Sequence, residues 1–134
     1  MRGSRSARWL WCAPLFAACS AASGSAPLEP RPTVVLQRVE VPQTDRQLGM
    51  GIAEFPPNSA MRRKKAVGPE VCYVLQGEVT LTFDGQPPRT FRAGQSFQIP
   101  ANAVHVTSAG SAGAKVLSAW VLTPGKPFNI FVAH

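Results

Sequence analysis

The sequence predicts an all-β fold, a sandwich or a barrel, behind an N-terminal export signal. Three observations lead there. Turn-forming residues are dense, with 13 Pro and 11 Gly in 134 residues, which disfavours long helices. Between the turns, apolar residues fall in short runs or alternate with period two. No segment carries a helical repeat capped at both ends. Hydrophobic residues make up 45% and charged residues 16% of the chain, a balance that supports a packed core rather than disorder. This length accommodates one domain. The chain has neither an internal repeat nor an apolar run of about 18 residues, which argues against a solenoid and a multi-span membrane protein.

The strands can be read in order. Thr33 to Val41 is rich in Val and Leu and ends at Pro42; Leu48 to Phe55 is closed by Pro56-Pro57. Val71 to Gln76 is nearly all apolar, so both of its faces are expected to be covered. Gly77 punctuates it. Glu78 to Phe83 then alternates, with Val79, Leu81 and Phe83 on one face. Asp84-Gly85 is a turn signal and Thr90-Phe91-Arg92 begins the return strand. After the turn at Ala93-Gly94, Ser96–Ile99 and Val104–Ser108 flank Pro100-Ala101-Asn102. A loop over residues 109–113 precedes a last long strand, Lys115 to Leu122. About seven or eight short strands of this kind make a sandwich or a barrel. The tail from Pro124 keeps Phe128, Ile130 and Phe131, which must cover the barrel's own edge or meet a second subunit.

Residues 1–8 carry Arg2, Arg5 and Arg8 and no acid; Trp9 to Ala18 is apolar but short; small residues follow from Cys19 to Ala26. Basic, apolar, small is the layout of a secretory signal peptide. Residues 1–26 are therefore expected to be a leader, with small residues suited to cleavage at Ser20-Ala21-Ala22 and at Gly24-Ser25-Ala26. The alternative, a short buried helix, is disfavoured by Pro14 and the polar stretch after it. Phe16-Ala17-Ala18-Cys19 also resembles a bacterial lipobox, with Phe where Leu is usual, which would put a lipid on Cys19. Both forms lead out of the cytoplasm, to the periplasm or cell envelope. Residues 33–131 are then the single folded domain. Cys72 is its one cysteine, so it has no internal disulfide, and its apolar neighbours read as those of a buried free thiol.

The formal charge of +7 is local. Beyond residue 26, 11 basic and 7 acidic residues leave +4, and the run Arg62-Arg63-Lys64-Lys65 accounts for all of it. Nucleic-acid binding needs basic residues along a footprint, with aromatics interleaved for single strands; neither is present. The ordinary reading of such a run is a solvated loop.

Two segments carry a resemblance. Glu70-Val71-Cys72-Tyr73-Val74-Leu75-Gln76-Gly77, preceded by Gly68-Pro69, is similar to the second half of the first motif of the cupin family. Gly94, then Pro100-Ala101-Asn102, then His105 is similar to its second motif, with Asn102 where Gly is frequent and Ala109 where Asn is frequent. The resemblance spans about residues 48–122 and implies a small single-domain cupin of type 2: a double-sheet, jelly-roll β-barrel whose interior holds a metal or a small ligand. It also implies two histidines shortly before Glu70. With a three-residue gap those positions are Lys64 and Ala66; with a four-residue gap they are Arg63 and Lys65. Neither alignment supplies a histidine, and a charged ammonium or guanidinium has no lone pair to offer a cation. The metal motif is therefore degenerate. No cofactor is expected. The alternative is a weakly held Fe, Mn, Zn or Ni on Glu70 and His105, with Cys72 as third ligand if strand alternation turns it inward beside Glu70.

Three functions follow. The first is an exported module binding a small, anionic molecule at Arg63, Lys64 and Lys65, with Arg62 adjoining, while Glu70 and His105 orient polar groups. The second is an enzyme of the oxygenase or isomerase type implied by the resemblance. It would use a metal, or else His105 as base with Glu70 as its partner. The third is an envelope interaction protein using the basic run on an acidic partner or lipid. The expected partners are a small-molecule ligand, a membrane through a lipid anchor alone, and, by the resemblance, a second copy in a homodimer.

Overall fold

The structure, a computed structural model, describes Gly24 and residues 28–133. The leader and the lipid site at Cys19 fall outside the described residues, Gly24 excepted. The described chain is all-β and antiparallel: β1 (Val34–Glu40), β2 (Gln47–Phe55), β3 (Lys64–Ala66), β4 (Glu70–Phe83), β5 (Arg89–Arg92), β6 (Ser96–Ile99), β7 (His105–Leu122) and β8 (Asn129–Phe131).

Two long strands hold this sheet together. β4 pairs with β7 from Glu70↔Trp120 to Phe83↔His105. The second half of β7 also pairs with β2, which pairs with β1, while the first half of β4 pairs with β6. The other half of β7 meets β3, which pairs with β8, and the other half of β4 meets β5. The ladder thus runs through two leaves that curl over one another, the double-sheet barrel expected from the sequence.

What lets both strands pass between leaves is a reversal of side-chain parity. On β4 the inward residues are Cys72 and Val74, then Val79 and Leu81, all buried. Strict alternation cannot join an even-numbered set to an odd one. The register shifts on both sides of Gln76–Gly77, and Gly77 takes φ +74°, a left-handed bulge position. The sequence reading took Gly77 as a strand end and residues 109–113 as a loop. Both lie inside continuous strands, with the ladder kept at Gly77↔Ala114 and resumed at Val79↔Ala109 on the far side of the bend.

The core beneath the bend joins Ala53, Phe55, Cys72, Val74, Val79, Leu81, Ile99 and Val116. Val71, Tyr73 and Leu75 are exposed, contrary to the expectation that this run is covered on both faces. Only the inner face of that leaf meets the core. Its outer face carries Val39, Leu48, Val71 and Tyr73 in adjacent strands, related through Val39↔Leu48, Leu48↔Val121, Val71↔Ala119 and Tyr73↔Leu117. The apolar tail forms β8 and covers the edge of β3, the first of the two alternatives left open by the sequence.

Substitution at the bend tests its role. A Cβ on Gly77 would lie 2.0 Å from the Gly113 carbonyl oxygen, so Gly77→Ala is expected to destabilise by about 2 kcal/mol or more. Gly85→Ala, also at positive φ but in open space, is expected to cost only about 1 kcal/mol. Thermal denaturation of the two variants compares them.

Candidate functional site

Between the leaves lies a cavity of about 470 Å³. β4 contributes Glu70 and Cys72 from its first inward positions. β7 contributes His105 and Thr107 from one leaf and Ser118 and Trp120 from the other, and β3 contributes Lys64. Phe55, Met61, Phe97, Ile99 and Phe128 form apolar walls, while Arg38 and Lys126, both exposed, stand at the opening. The sequence reading missed Arg38, Lys126 and Trp120 as cavity residues. Gly49 and Gly51 were a usable signal. They share the inner face of β2, and a Cβ on Gly49 would lie 2.7 Å from the Trp120 indole. Two glycines at period two in a strand mark a surface that another group approaches closely.

The basic run is divided by strand geometry. Three residues, Lys64–Ala66, form β3 by pairing Lys64 with His105 on one side and all three with β8 on the other. Period two then turns Lys64 and the fully buried Ala66 inward. This selects the three-residue gap, so Lys64 and Ala66 occupy the positions at which the cupin motif carries its paired histidines. Arg63 lies away from the cavity lining, where its Nε donates to Asp84 Oδ1 at 3.1 Å and its guanidinium also meets the Ala133 carbonyl. Lys65 pairs with Ile130 and is not in the lining, and the Arg62 guanidinium lies 4.3 Å from the Phe131 ring centroid. Of the ligand set read from the sequence, the structure brings together Glu70, His105, Lys64 and Cys72, and separates Arg63 and Lys65 from them.

His105 is 1% exposed. Its Nδ1 lies 2.9 Å from the Ala103 carbonyl oxygen, which can only accept, so the ring proton sits on Nδ1 and Nε2 keeps its lone pair. Nε2 is buried without a partner, and so is Glu70 Oε1. Burial pushes the His105 pKa down, and Lys64 pushes it further, against the Ala103 bond. Burial raises the Glu70 carboxyl against the opposing pull of Lys64. Burial likewise lowers the Lys64 ammonium, with Glu70 and Cys72 opposing. The Lys64 Nζ donates to Asn129 Oδ1 at 3.1 Å. The Cys72 thiol is pushed up to about 12, mainly by burial, and its sulfur lies 3.3 Å from the Ser118 hydroxyl. It is a packed thiol rather than a thiolate nucleophile.

These donors do not fit a divalent metal. Among the described residues no three His, Cys, Asp or Glu side chains converge. Glu70 and His105 provide two ligands, and the Lys64 side chain occupies the place of an imidazole.

The architecture is a double-sheet barrel enclosing a cavity with a polar cluster and apolar walls. The profile of the Cupin domain matches residues 51–120, and the chain belongs to the cupin family. It is 40% identical over 68 residues, 51% of its length and 44% of the relative's, to dimethylsulfoniopropionate lyase DddW of Ruegeria pomeroyi. Its fold is similar to that of the DMSP lyase DddQ from the same organism, with TM-score 0.58 and 19% identity over 66% of this chain and 44% of that one. It is also similar to a double-stranded beta-helix domain protein of Klebsiella pneumoniae, with TM-score 0.62 and 15% identity over 82% and 90% of the two chains. The chain spans less than half the length of either lyase.

The unpartnered carboxyl carries a stability signature. A carboxyl whose folded pKa is raised stabilises the fold below its unfolded pKa and loses that contribution as pH rises through the folded pKa. Glu70→Gln removes the buried charge. It is expected to stabilise the protein by about 1 kcal/mol near pH 8 and to have no such effect near pH 4, read by thermal denaturation at both pH values.

Proposed function

We propose that this cupin binds a small carboxylate with an apolar body in its barrel cavity, without a metal. One observation carries the reading. The cavity is lined by two exposed cations, Arg38 and Lys126, with Glu70 as its one carboxyl, and burial moves the inner pair, Lys64 and Glu70, toward their neutral forms. Positive charge at the mouth of an apolar pocket draws and orients an anion, while the aromatic walls take the rest of the molecule. The relative DddW is named for dimethylsulfoniopropionate, a zwitterion whose carboxylate is the part this reading requires. The leader read over residues 1–26 would place this binding outside the cytoplasm. A second reading, a metal-free lyase, is favoured by the buried His105 Nε2, an acceptor positioned to take a proton from a bound molecule.

Calorimetric titration of the purified protein with 3-phenylpropionate and with dimethylsulfoniopropionate tests both. Binding is expected to persist in EDTA and to weaken about tenfold in Arg38→Gln and in Lys126→Gln, the loss of one charge-assisted contact each. Equal affinity for 3-phenylpropionamide, the neutral amide of the first compound, would overturn the anionic reading. Turnover of dimethylsulfoniopropionate, rather than binding alone, would bring the lyase reading forward.

The outer face of the first leaf is proposed to pair with a second copy. The exposed Val39, Leu48, Val71 and Tyr73 bear no charge, so a two-fold arrangement sets like against like without repulsion. Sedimentation is expected to give a dimer, and Val71→Glu a monomer of unchanged fold; a monomeric parent protein would remove this pairing.

A further inference from the structure

We propose that Lys64 is a nucleophile: its amine condenses reversibly with an aldehyde or ketone carbonyl on the bound molecule and forms an imine. The inference rests on the cavity being the ligand site, as proposed above, and narrows the ligand class to carbonyl compounds, oxo-carboxylates foremost.

Three features of the cluster carry it. Lys64 is anchored on both sides, since its backbone pairs with His105 of β7 and Phe131 of β8, and its half-buried side chain lines the cavity. The hydrogen bond of Nζ goes to the neutral amide oxygen of Asn129. An amide oxygen holds the amine in place without the full charge that would tie it up as an ammonium. The groups that imine formation needs stand around the same space. His105 Nε2, buried and unpartnered, can accept a proton from the attacking nitrogen. Glu70, whose Oε1 is buried and unpartnered, can in its acid form give a proton to the departing hydroxyl. Desolvation of Lys64 and Glu70 acts in the same direction, toward free amine and neutral acid. An amine made nucleophilic by an apolar pocket and a neighbouring acid and base is the arrangement that Schiff-base chemistry uses.

The step balances. The Nζ lone pair adds to the carbonyl carbon, and the carbonyl π pair moves to oxygen to give a carbinolamine. Nitrogen loses one proton to His105, which passes it to the former carbonyl oxygen to complete the hydroxyl. Glu70 protonates that hydroxyl, water leaves as the C=N bond forms, and the second nitrogen proton returns Glu70 to its acid form. One carbonyl and one amine become one imine and one water, with no oxidant or reductant. The apolar walls limit the water available to reverse it.

Reductive trapping tests the proposal. The purified protein is incubated at neutral pH with phenylpyruvate or, as a neutral probe, 3-phenylpropanal, each with sodium cyanoborohydride, and the adduct is located by peptide mapping. The acid and base that flank the cavity amine accelerate its condensation, so Lys64 is expected to be labelled about tenfold or more faster than Lys65, Lys115 or Lys126. Glu70→Gln is expected to slow the labelling about tenfold while the protein stays folded. Lys65→Arg is expected to leave it unchanged, and Lys64→Arg to abolish it. Label spread over the surface lysines at comparable rates would overturn the proposal even if Lys64→Arg fails to fold. The two readings fail separately. If 3-phenylpropionate binds but no carbonyl probe is trapped at Lys64, the imine is wrong and the carboxylate site stands. If neither binds nor is trapped, the cavity is not the ligand site and both fall.

Discussion

The antiparallel ladder between β4 and β7 is the constraint on which the rest depends. It supplies the longest continuous pairing in the fold, and every other strand except β1 and β8 is hydrogen-bonded to one of these two. A ladder of that length cannot stay flat and also enclose a core. It bends where Gly77 and the Gly110–Gly113 segment face each other, and the bend reverses which residues point inward. Because of that reversal, Glu70 and Cys72 from one end of β4 face the same interior as His105 and Thr107 from the opposite end of the ladder. The site is a consequence of folding one ribbon over on itself.

The cluster inside shows how changing one residue alters the chemistry of a site while leaving its geometry. The inward turn of Lys64 puts an ammonium in the position at which the cupin motif places an imidazole. The fold accepts it because β7 and β8 hold its backbone and Asn129 Oδ1 accepts a hydrogen bond from its Nζ. The electrostatic result is a set of groups that resist ionisation in the cavity. Each is desolvated, and each is moved toward its neutral form. Two buried polar atoms without partners are an unfavourable feature that a stable core would have eliminated. Local conflicts of this kind concentrate at functional sites, where a bound molecule completes the missing contacts.

The basic run shows why charge in a sequence is a weak guide to charge at a site. Four consecutive cations look like one patch. A strand separates successive side chains onto opposite faces, so Lys64 enters the cavity while Arg63 ties the chain to Asp84 and the Ala133 carbonyl. Positive charge around the cavity comes also from Arg38 and Lys126, single residues far apart in the chain that both line it.

Much of the fold was legible in the sequence. Period-two alternation and turn residues marked β2, β5, β6 and both halves of β4, because those signals are local and depend on covering one face of a strand. The spacing from Glu70 to Gly77 and from Gly94 to His105 marked the family and two of the site residues. The rest required the tertiary structure. β3 consists of two lysines and an alanine with no preference for a strand, and it exists only because β7 and β8 flank it. The choice between Lys64 and Arg63 as the cavity residue could not be made from spacing, since a gap one residue longer turns the opposite face inward. The Gly77 bulge, the presence of Arg38 and Lys126 in one cavity lining and the unpartnered atoms of Glu70 and His105 all depend on contacts between residues distant in the chain. Local chemistry determined which strands and motif halves the protein contains; the long-range register of β4 on β7 decided which side chains meet.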